Sequence, residues 1–208
     1  AGFINTDQFS GYKQAGNTIL YASSTNFTTL VGDGAGPSLT ATANYSTAVG
    51  YQALNTATSS TRNTAFGYQS LKNSQAYGSS ATLFGGYNSA FGVNTLRANT
   101  GGYFNAAFGV NTLLSNTTGT SNAGFGYNVL STNTTGTDNV GVGISAITTN
   151  TTGSYNVGVG SSAIGANTTG SNNTAFGWNA LGTAPTSSNQ PAIGYGALDS
   201  MIPNSATA

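Results

Sequence analysis

The sequence contains no cysteine and no histidine among its 208 residues. A Cys/His metal site, a thiol nucleophile, a Ser-His-Asp triad and a disulfide are therefore excluded within one chain. Charged residues are also few, with four Lys or Arg and four Asp or Glu, so the formal net charge is zero. The aspartates are isolated from one another, which gives a paired-carboxylate glycosidase site little support. We expect a protein that is not an enzyme and that holds no cofactor and no metal.

The same scarcity of charge disfavours two classes of partner. Four scattered cations cannot form the basic patch that releases counterions from nucleic acid. A transmembrane helix needs roughly 20 nearly continuous apolar residues, and the sequence has no such run. We therefore predict no nucleic-acid partner and no membrane insertion. A chain with so little charge also lacks the electrostatic repulsion that normally keeps copies of a protein apart. The expected partner is therefore another copy of the chain.

Glycine, by contrast, is abundant, with 30 residues, and nine of them recur at a fixed interval. These repeated glycines are Gly50, Gly67, Gly92, Gly109, Gly126, Gly143, Gly160, Gly177 and Gly194. Successive members lie 17 residues apart, except that Gly67 and Gly92 are separated by 25, which places an eight-residue insertion near 75–82. A degenerate copy occupies residues 30–36. Such regularity is typical of a repeat architecture in which each period forms one structural unit.

Each period predicts a short strand followed by a turn. Residues 140–144, Val-Gly-Val-Gly-Ile, alternate apolar side chains with glycine, which is the period of two of a strand. The polar stretch 131–136, Ser-Thr-Asn-Thr-Thr-Gly, has the residue types that form turns. We therefore predict an all-β fold, a parallel β-solenoid (β-roll) of about ten 17-residue coils. The repeat domain is placed at 30–199, between a non-repeat N-terminal segment, 1–29 (a cap, stalk or docking segment), and a C-terminal tail, 200–208.

Stacked coils place like side chains above one another, so the repeat predicts ladders. The residue before each repeated glycine from Gly67 onward is expected to form an interior ladder: Phe66, Phe91, Phe108, Phe125, Val142, Val159, Phe176 and Ile193. A later apolar pair predicts a second short strand and a second interior ladder: Leu54, Leu71, Leu96, Leu113, Leu130, Ile147, Ile164, Leu181 and Leu198. Each buried side chain would contribute about 1.5–3 kcal/mol. A polar ladder, hydrogen-bonded through its amides, is expected at Asn88, Asn105, Asn122, Asn139, Asn156 and Asn173.

The repeated glycines form a strip of their own. A glycine that recurs within a strand suggests close approach of another backbone. Either a second sheet of the same coil or a second chain would supply that backbone. The strip is therefore our candidate packing or assembly face.

Two segments carry a resemblance to a known family. Residues 63–71, Asn-Thr-Ala-Phe-Gly-Tyr-Gln-Ser-Leu, and the equivalent 171–181 resemble repeats of the YadA-like trimeric autotransporter adhesin head. They resemble still more the Asn-Thr-Ala-x-Gly-Tyr repeats of bacterial surface and phage tail-fibre proteins, and residues 11–54 are similar to the segment that precedes those repeats. The resemblance implies a scaffold and, by analogy, a trimer. The chain starts without Met, from which we expect a processed, exported product located outside the cell or on its surface.

Seven asparagines lie in Asn-x-Ser/Thr sequences, which are acceptors for N-linked glycans. They are Asn26, Asn44, Asn116, Asn133, Asn150, Asn167 and Asn172. Four of the seven begin Asn-Thr-Thr-Gly segments that recur every 17 residues, and the favoured interpretation of these is a turn selected for its hydrogen bonding. The threonines of the same turns would also stack, which leaves ice binding as a minor alternative.

Other candidates lie on the surface and at the ends of the solenoid. Aromatic residues recur directly after the repeated glycine, at Tyr51, Tyr68, Tyr127, Trp178 and Tyr195, where packing is favoured over a carbohydrate-stacking stripe. Solenoid ends expose strand edges that can template another chain. The candidates for end-to-end docking are Ile19, Leu20, Tyr21, Met201 and Ile202.

Taken together, these features predict a structural subunit of an extracellular fibre or filament. Self-assembly would use the solenoid ends, the Ala/Gly face, or both. The alternative is the glycan- or surface-binding head of a trimeric adhesin or phage tail fibre, with surface glycans as partners.

Overall fold

The computed structural model describes residues 12–14, 17–23, 27–37, 39, 45–57, 61–75 and 86–199. All regular secondary structure in these ranges is β-strand. The strands are β1 Tyr12–Gln14, β2 Asn17–Ser23, β3 Thr28–Val31, β4 Thr47–Val49, β5 Thr64–Phe66, β6 Ser89–Phe91, β7 Ala106–Val110, β8 Ala123–Tyr127, β9 Val140–Ile144, β10 Val157–Val159, β11 Thr174–Phe176 and β12 Pro191–Ile193. Residues 1–11, the predicted insertion apart from Gln75, and the tail 200–208 lie outside the described residues.

The twelve strands form one sheet in which spatial order follows chain order. β1, β2 and β3 pair antiparallel, whereas β3 to β12 pair in parallel. Equivalent residues face each other, as Phe108 and Phe125 do between β7 and β8. The longer interval does not interrupt the register, because Phe66 in β5 pairs with Phe91 in β6. The predicted parallel β-solenoid is confirmed, with about nine turns at a spacing of about 17 residues.

Each coil between Tyr45 and Leu181 bends at three non-glycine residues that have a left-handed backbone conformation. In one coil these are Phe104, Asn111 and Leu113, with φ values of 58°, 55° and 53°. The conformation costs an L-residue about 1–2 kcal/mol. Leu113 is nevertheless fully buried, and burial of a leucine side chain contributes about 1.5–3 kcal/mol. Burial in the coil therefore outweighs the backbone penalty at this position.

The interior is lined by the leucine ladder and by small residues of the strands. Leu113 and its equivalents from Leu54 to Leu181 are buried, and Leu198 packs partly buried against them, which confirms this ladder. The predicted second strand is wrong, because Leu130 lies in a turn with φ 51°. Facing the ladder from the sheet are buried alanines such as Ala107.

The expectation that the phenylalanine ladder is interior is wrong. All eight of its members point away from the coil and are exposed or half-buried: Phe66, Phe91, Phe108, Phe125, Val142, Val159, Phe176 and Ile193. The interior has no space for them. A Cβ added to Gly141, at an inward strand position, would already collide with Val129 Cγ1. The narrow coil accepts only alanine or glycine from the sheet, so the larger alternating side chains lie outside.

Candidate functional site

The predicted asparagine ladder at the start of each strand is confirmed. Asn105 donates its backbone N–H and its Nδ2 to Asn88 Oδ1, over 3.0 and 3.1 Å. The second Nδ2 hydrogen goes to the Gly119 carbonyl O at 2.9 Å. The ladder begins one coil earlier than predicted, with Asn63. These buried amides satisfy one another from coil to coil and leave nothing free for a ligand.

A second amide ladder accounts for the Asn-Thr-Thr-Gly turns. Asn116 donates from Nδ2 to Asn99 Oδ1 at 2.9 Å and to the Gly119 carbonyl O at 3.0 Å. The same pattern holds for Asn133, Asn150 and Asn167, all fully buried. An N-linked glycan is attached through Nδ2, so a folded coil cannot carry one at these four positions. The turn interpretation is the one that fits.

The remaining glycan candidates have different positions. Asn172 is exposed at the corner before β11, and its backbone N–H donates to the Ser154 carbonyl O at 3.0 Å. Asn26 and Asn44 lie outside the described residues.

The two threonines of each turn also differ. Thr117 donates from Oγ1 to the Thr134 carbonyl O of the next coil at 2.9 Å, whereas its neighbour Thr118 is exposed. Only one column of threonines, Thr118, Thr135, Thr152 and Thr169, is therefore fully at the surface. The inner column serves the stacking of the coils, which weakens the case for an ice-binding surface built from both.

The strip of repeated glycines packs against itself. Gly109 has φ 129°, and a Cβ built on it would overlap the carbonyl O of Gly126 in the next coil. The same close approach recurs along the strip, except at Gly194, which has no neighbour within 4 Å. The predicted close backbone contact is present, and the glycine of the adjacent coil supplies it.

The exposed apolar surface is the outward side of the sheet, which we call the strand face. It consists of the residues before and after the repeated glycines: Val49, Tyr51, Phe66, Tyr68, Phe91, Val93, Phe108, Val110, Phe125, Tyr127, Val142, Ile144, Val159, Ser161, Phe176, Trp178, Ile193 and Tyr195. Phe66, Tyr127 and Trp178 are each about half exposed, at 52%, 49% and 50%. This face carries no charged side chain and continues over nine coils. Sequence reasoning missed it because the period of two does not say which side is inside.

The rings of the strand face stack on one another along the solenoid. Phe108 lies between Phe91 and Phe125, with ring centroids 4.9 and 5.0 Å apart and interplanar angles of 5° and 7°. Trp178 and Tyr195 stack in the same way at 4.8 Å. A ring held between two others has both faces covered, so it presents its edge outward. Phe91 and Phe108 are held in this way and offer no open ring face for sugar stacking. Trp178 and Tyr195 form a stack of two, so each has one face that the other ring does not cover.

A second column of large side chains lies at the corner that precedes the strand, exposed except for the half-buried Tyr87. It consists of Phe27, Tyr45, Arg62, Tyr87 and Phe104, and we call it the corner column. Phe27 and Tyr45 stack at 5.2 Å, and Tyr87 and Phe104 lie 5.2 Å apart. The Arg62 guanidinium lies over the rings of Tyr45 and Tyr87, at 5.1 and 5.2 Å from their centroids. Composition alone gave no signal for this column.

The end-docking candidates fall on two different regions. Ile19, Leu20 and Tyr21 belong to β2, whose two edges are hydrogen-bonded to β1 and to β3. Leu20 is paired on both sides, with Tyr12 and Val31, and Tyr21 is paired with Leu30 of β3. The Leu20 side chain is about half exposed. Met201 and Ile202 lie outside the described residues.

Within the ranges that the structure describes, no three His, Cys, Asp or Glu side chains come together in a way that could hold a metal ion. Those ranges also contain no helix with the length and apolarity to span a bilayer. Comparison of the chain with known protein families, with curated proteins and with solved structures gave no match. The solenoid is compatible with β-roll repeat proteins in its architecture.

Proposed function

We propose that the protein is a non-catalytic structural subunit of an extracellular fibre, which self-associates through the strand face. The observation that carries the proposal is an uncharged, largely apolar sheet surface that continues over nine coils. Monomeric proteins rarely expose a contiguous apolar surface of more than a few hundred Å². Such a surface needs a partner that covers it.

The dimensions of the face suit a protein partner. At about 4.8 Å per coil, the strand face is about 38 Å long, and its strands of three to five residues make it about 10–16 Å wide. Two such faces in contact would bury about 800–1,200 Å² in total before the relief of the side chains is counted, which reaches the lower bound of standard specific interfaces. The strand face is therefore large enough for a contact at the small end of specific interfaces.

A second copy of the chain is the partner that matches this face best. Its own strand face repeats at the same rise per coil, so contacts made in one coil recur in the others. With no charged residue on the face, copies meet without electrostatic repulsion. The stacked rings point their edges outward, which suits packing against other apolar side chains more than against the flat face of a sugar.

The family resemblance supports the same conclusion in finer detail. The architecture is that of a β-roll, and the repeats resemble those of trimeric adhesin heads and tail fibres. We propose that this chain is a scaffold of that kind, located outside the cell or on its surface. Binding of a host or surface glycan by such a head is the second candidate function, and the corner column favours it.

Sedimentation velocity and negative-stain microscopy of the purified protein test self-association. We expect particles larger than one chain at micromolar concentration, and elongated fibres or bundles in the images. The double variant Phe91→Thr/Phe125→Thr removes two rings from the strand face and should shift the particles toward monomers. Phe104→Ser is the matched control, because it removes an exposed ring from the corner column instead, and it should leave the assembly unchanged.

Two results would overturn the proposal. One is a wild-type protein that remains a single rod-shaped chain at every concentration. The other is assembly that the double variant leaves intact, since the strand face would then not be the contact. Discrete trimers with saturable glycan binding would favour the adhesive head over the fibre subunit.

A further inference from the structure

The corner column keeps large side chains in an unfavourable backbone conformation without burying them. Its five residues have φ values between 52° and 61°. Bulky residues rarely adopt this left-handed region. Equivalent corners in later coils mostly have small polar residues, at Ser121, Asp138, Asn172 and Asn189. At Leu113 full burial compensates for the same backbone conformation. Phe27, Tyr45 and Phe104 are more than half exposed, so burial does not explain why large side chains occupy these strained positions.

Arg62 occupies the centre of this column. Its guanidinium is held between the rings of Tyr45 and Tyr87, which cover its two faces. The N–H groups at the edge of the guanidinium have no hydrogen-bond or ion-pair partner among the residues that the structure describes. The nearest acidic residue at an equivalent corner, Asp138, is four coils away, about 19 Å along the solenoid. Arg62 is therefore a preorganised cation whose donors are not used by any residue in the described ranges.

We propose that the corner column is a binding site for carboxylate-bearing glycans, with Arg62 as the residue that binds the carboxylate. A guanidinium presents two parallel N–H donors that match the two oxygens of a carboxylate. The tyrosine hydroxyls on either side of it can exchange hydrogen bonds with sugar hydroxyls. Sandwiching between rings fixes the guanidinium before binding, which lowers the entropy lost when the ligand is held.

The backbone at this corner argues for a sugar rather than a peptide ligand. Tyr87 donates its N–H to the Thr61 carbonyl O at 3.1 Å, and Phe104 donates its N–H to the Gly86 carbonyl O at 3.3 Å. These N–H groups are already used between coils, so a peptide could not add here as another strand. A glycan needs no backbone partner.

Phe104 gives the site a second contact suited to a sugar. The Phe104 ring is 54% exposed and contacts the rings of Tyr87 and Tyr103, whose centroids lie 5.2 and 5.1 Å from its own. Ser121 at the next corner carries no ring. The exposed part of the Phe104 ring is the part that a sugar can contact. Phe104 lies two coils from Arg62, about 10 Å, so one acidic oligosaccharide can reach both. The C–H face of one sugar would then pack on Phe104 while the carboxylate of another binds Arg62.

Titration of the intact protein with defined oligosaccharides tests the site. The acidic probes are trigalacturonate and sialyllactose, and the neutral controls are the methyl ester of the first and lactose for the second. We expect binding of at least one acidic probe, with no binding of its neutral control, and a lower affinity at higher salt. A tetraglutamate peptide supplies the carboxylate without the sugar and should bind more weakly than the acidic glycan.

Two substitutions test which residues contact the glycan, and both introduce a residue type that occurs at the equivalent corner of another coil. Arg62→Asn should weaken binding of the acidic probe by about tenfold or more, the usual effect of losing a charge-assisted hydrogen bond. Arg62→Lys keeps the charge but loses the two parallel N–H donors, so its affinity for the acidic probe should lie between those of wild type and Arg62→Asn. Phe104→Ser should weaken binding less than Arg62→Asn. The matched controls are Arg97→Asn, another exposed cation, and Tyr155→Asn, an isolated ring at the same corner position, and both should bind as wild type does.

The proposal is wrong if neither acidic glycan binds, or if Arg62→Asn and Arg97→Asn weaken binding equally, as non-specific attraction would. Tetraglutamate binding as tightly as the glycans would also overturn it and favour an acidic peptide. The strand face takes no part in this site, so failure here leaves the proposed self-association untouched. Thermal unfolding of each variant separates loss of binding from loss of fold.

Discussion

Asn116 and Gly119 fit together within a single turn. Asn116 Nδ2 donates to the Gly119 carbonyl O over 3.0 Å, and a Cβ on residue 119 would overlap Asn116 Oδ1. The pairing recurs in five turns, at Asn99 and Gly102, Asn116 and Gly119, Asn133 and Gly136, Asn150 and Gly153, and Asn167 and Gly170. The following turn has Ala184 and Ser187 instead, so both members change together.

A methyl group at the glycine of one central turn should therefore destabilise the solenoid. In Gly136→Ala the new Cβ would meet Asn133 Oδ1 and the Gly153 carbonyl O, and neither can move without breaking the ladder. We expect a loss of about 1–3 kcal/mol in the free energy of unfolding, measured by chemical denaturation. Thr135→Ala, at the exposed neighbour, is the control and should change stability by less than about 0.5 kcal/mol.

The turn at 184–187 allows the converse experiment. Asn167 Oδ1 is buried without a partner, because the next coil has alanine at the ladder position. Ala184→Asn alone would set its amide against the Cβ of Ser187 and should not stabilise the protein. Combined with Ser187→Gly it should extend the ladder, giving a favourable coupling of about 0.5–1.5 kcal/mol between the two substitutions. Additive effects in the double-mutant cycle would contradict this.

Two left-handed positions should respond in opposite directions to asparagine. Leu113 and Tyr155 have φ values of 53° and 58°, but only Leu113 is buried. Leu113→Asn removes a core side chain and should cost about 2–5 kcal/mol. Tyr155→Asn relieves an exposed strained residue and should raise stability by up to about 1 kcal/mol. Melting temperatures of the two variants test this, and a destabilised Tyr155→Asn would mean that its ring makes a contact that matters.

Burial of the turn asparagines predicts where N-linked glycans are absent. Expressed in a host that performs N-glycosylation, the protein should carry no glycan at Asn116, Asn133, Asn150 or Asn167 once folded. Asn172 is the exposed acceptor among the described residues. Peptide mapping by mass spectrometry with site-specific deglycosylation decides the point. Occupancy at Asn133 would show that modification precedes folding and that the amide ladder is not formed in that coil.

The 17-residue interval made the solenoid predictable, because equal spacing forces equivalent residues into register. The asparagine ladder followed from the same spacing combined with the hydrogen-bonding capacity of an amide. The spacing did not predict which side of the sheet faces the interior of the coil. Phe108 is more hydrophobic than Ala107, so hydrophobicity alone places the phenylalanine inside. The volume left by the leucine ladder decides otherwise, and volume is a property of the folded coil.

Local preference also failed where tertiary structure overrides it. Leu113 is a poor choice for a left-handed backbone, so no sequence rule would place a turn there. The corner column could not be anticipated for the same reason, since the spacing shows Tyr45, Arg62 and Tyr87 at one repeat position but not that this position is an exposed corner. Stacking of Arg62 between two rings becomes visible only when the coils are in register.

Thiol labelling of single-cysteine variants at adjacent positions tests most directly which side of the sheet is outside. The chain has no cysteine of its own, so Ala107→Cys and Phe108→Cys can be compared in the dissociated Phe91→Thr/Phe125→Thr background. We predict rapid labelling at position 108, and labelling at position 107 only after denaturation. Protection at 108 with reaction at 107 would place the aromatic ladder inside the coil and remove the surface on which the proposed assembly depends.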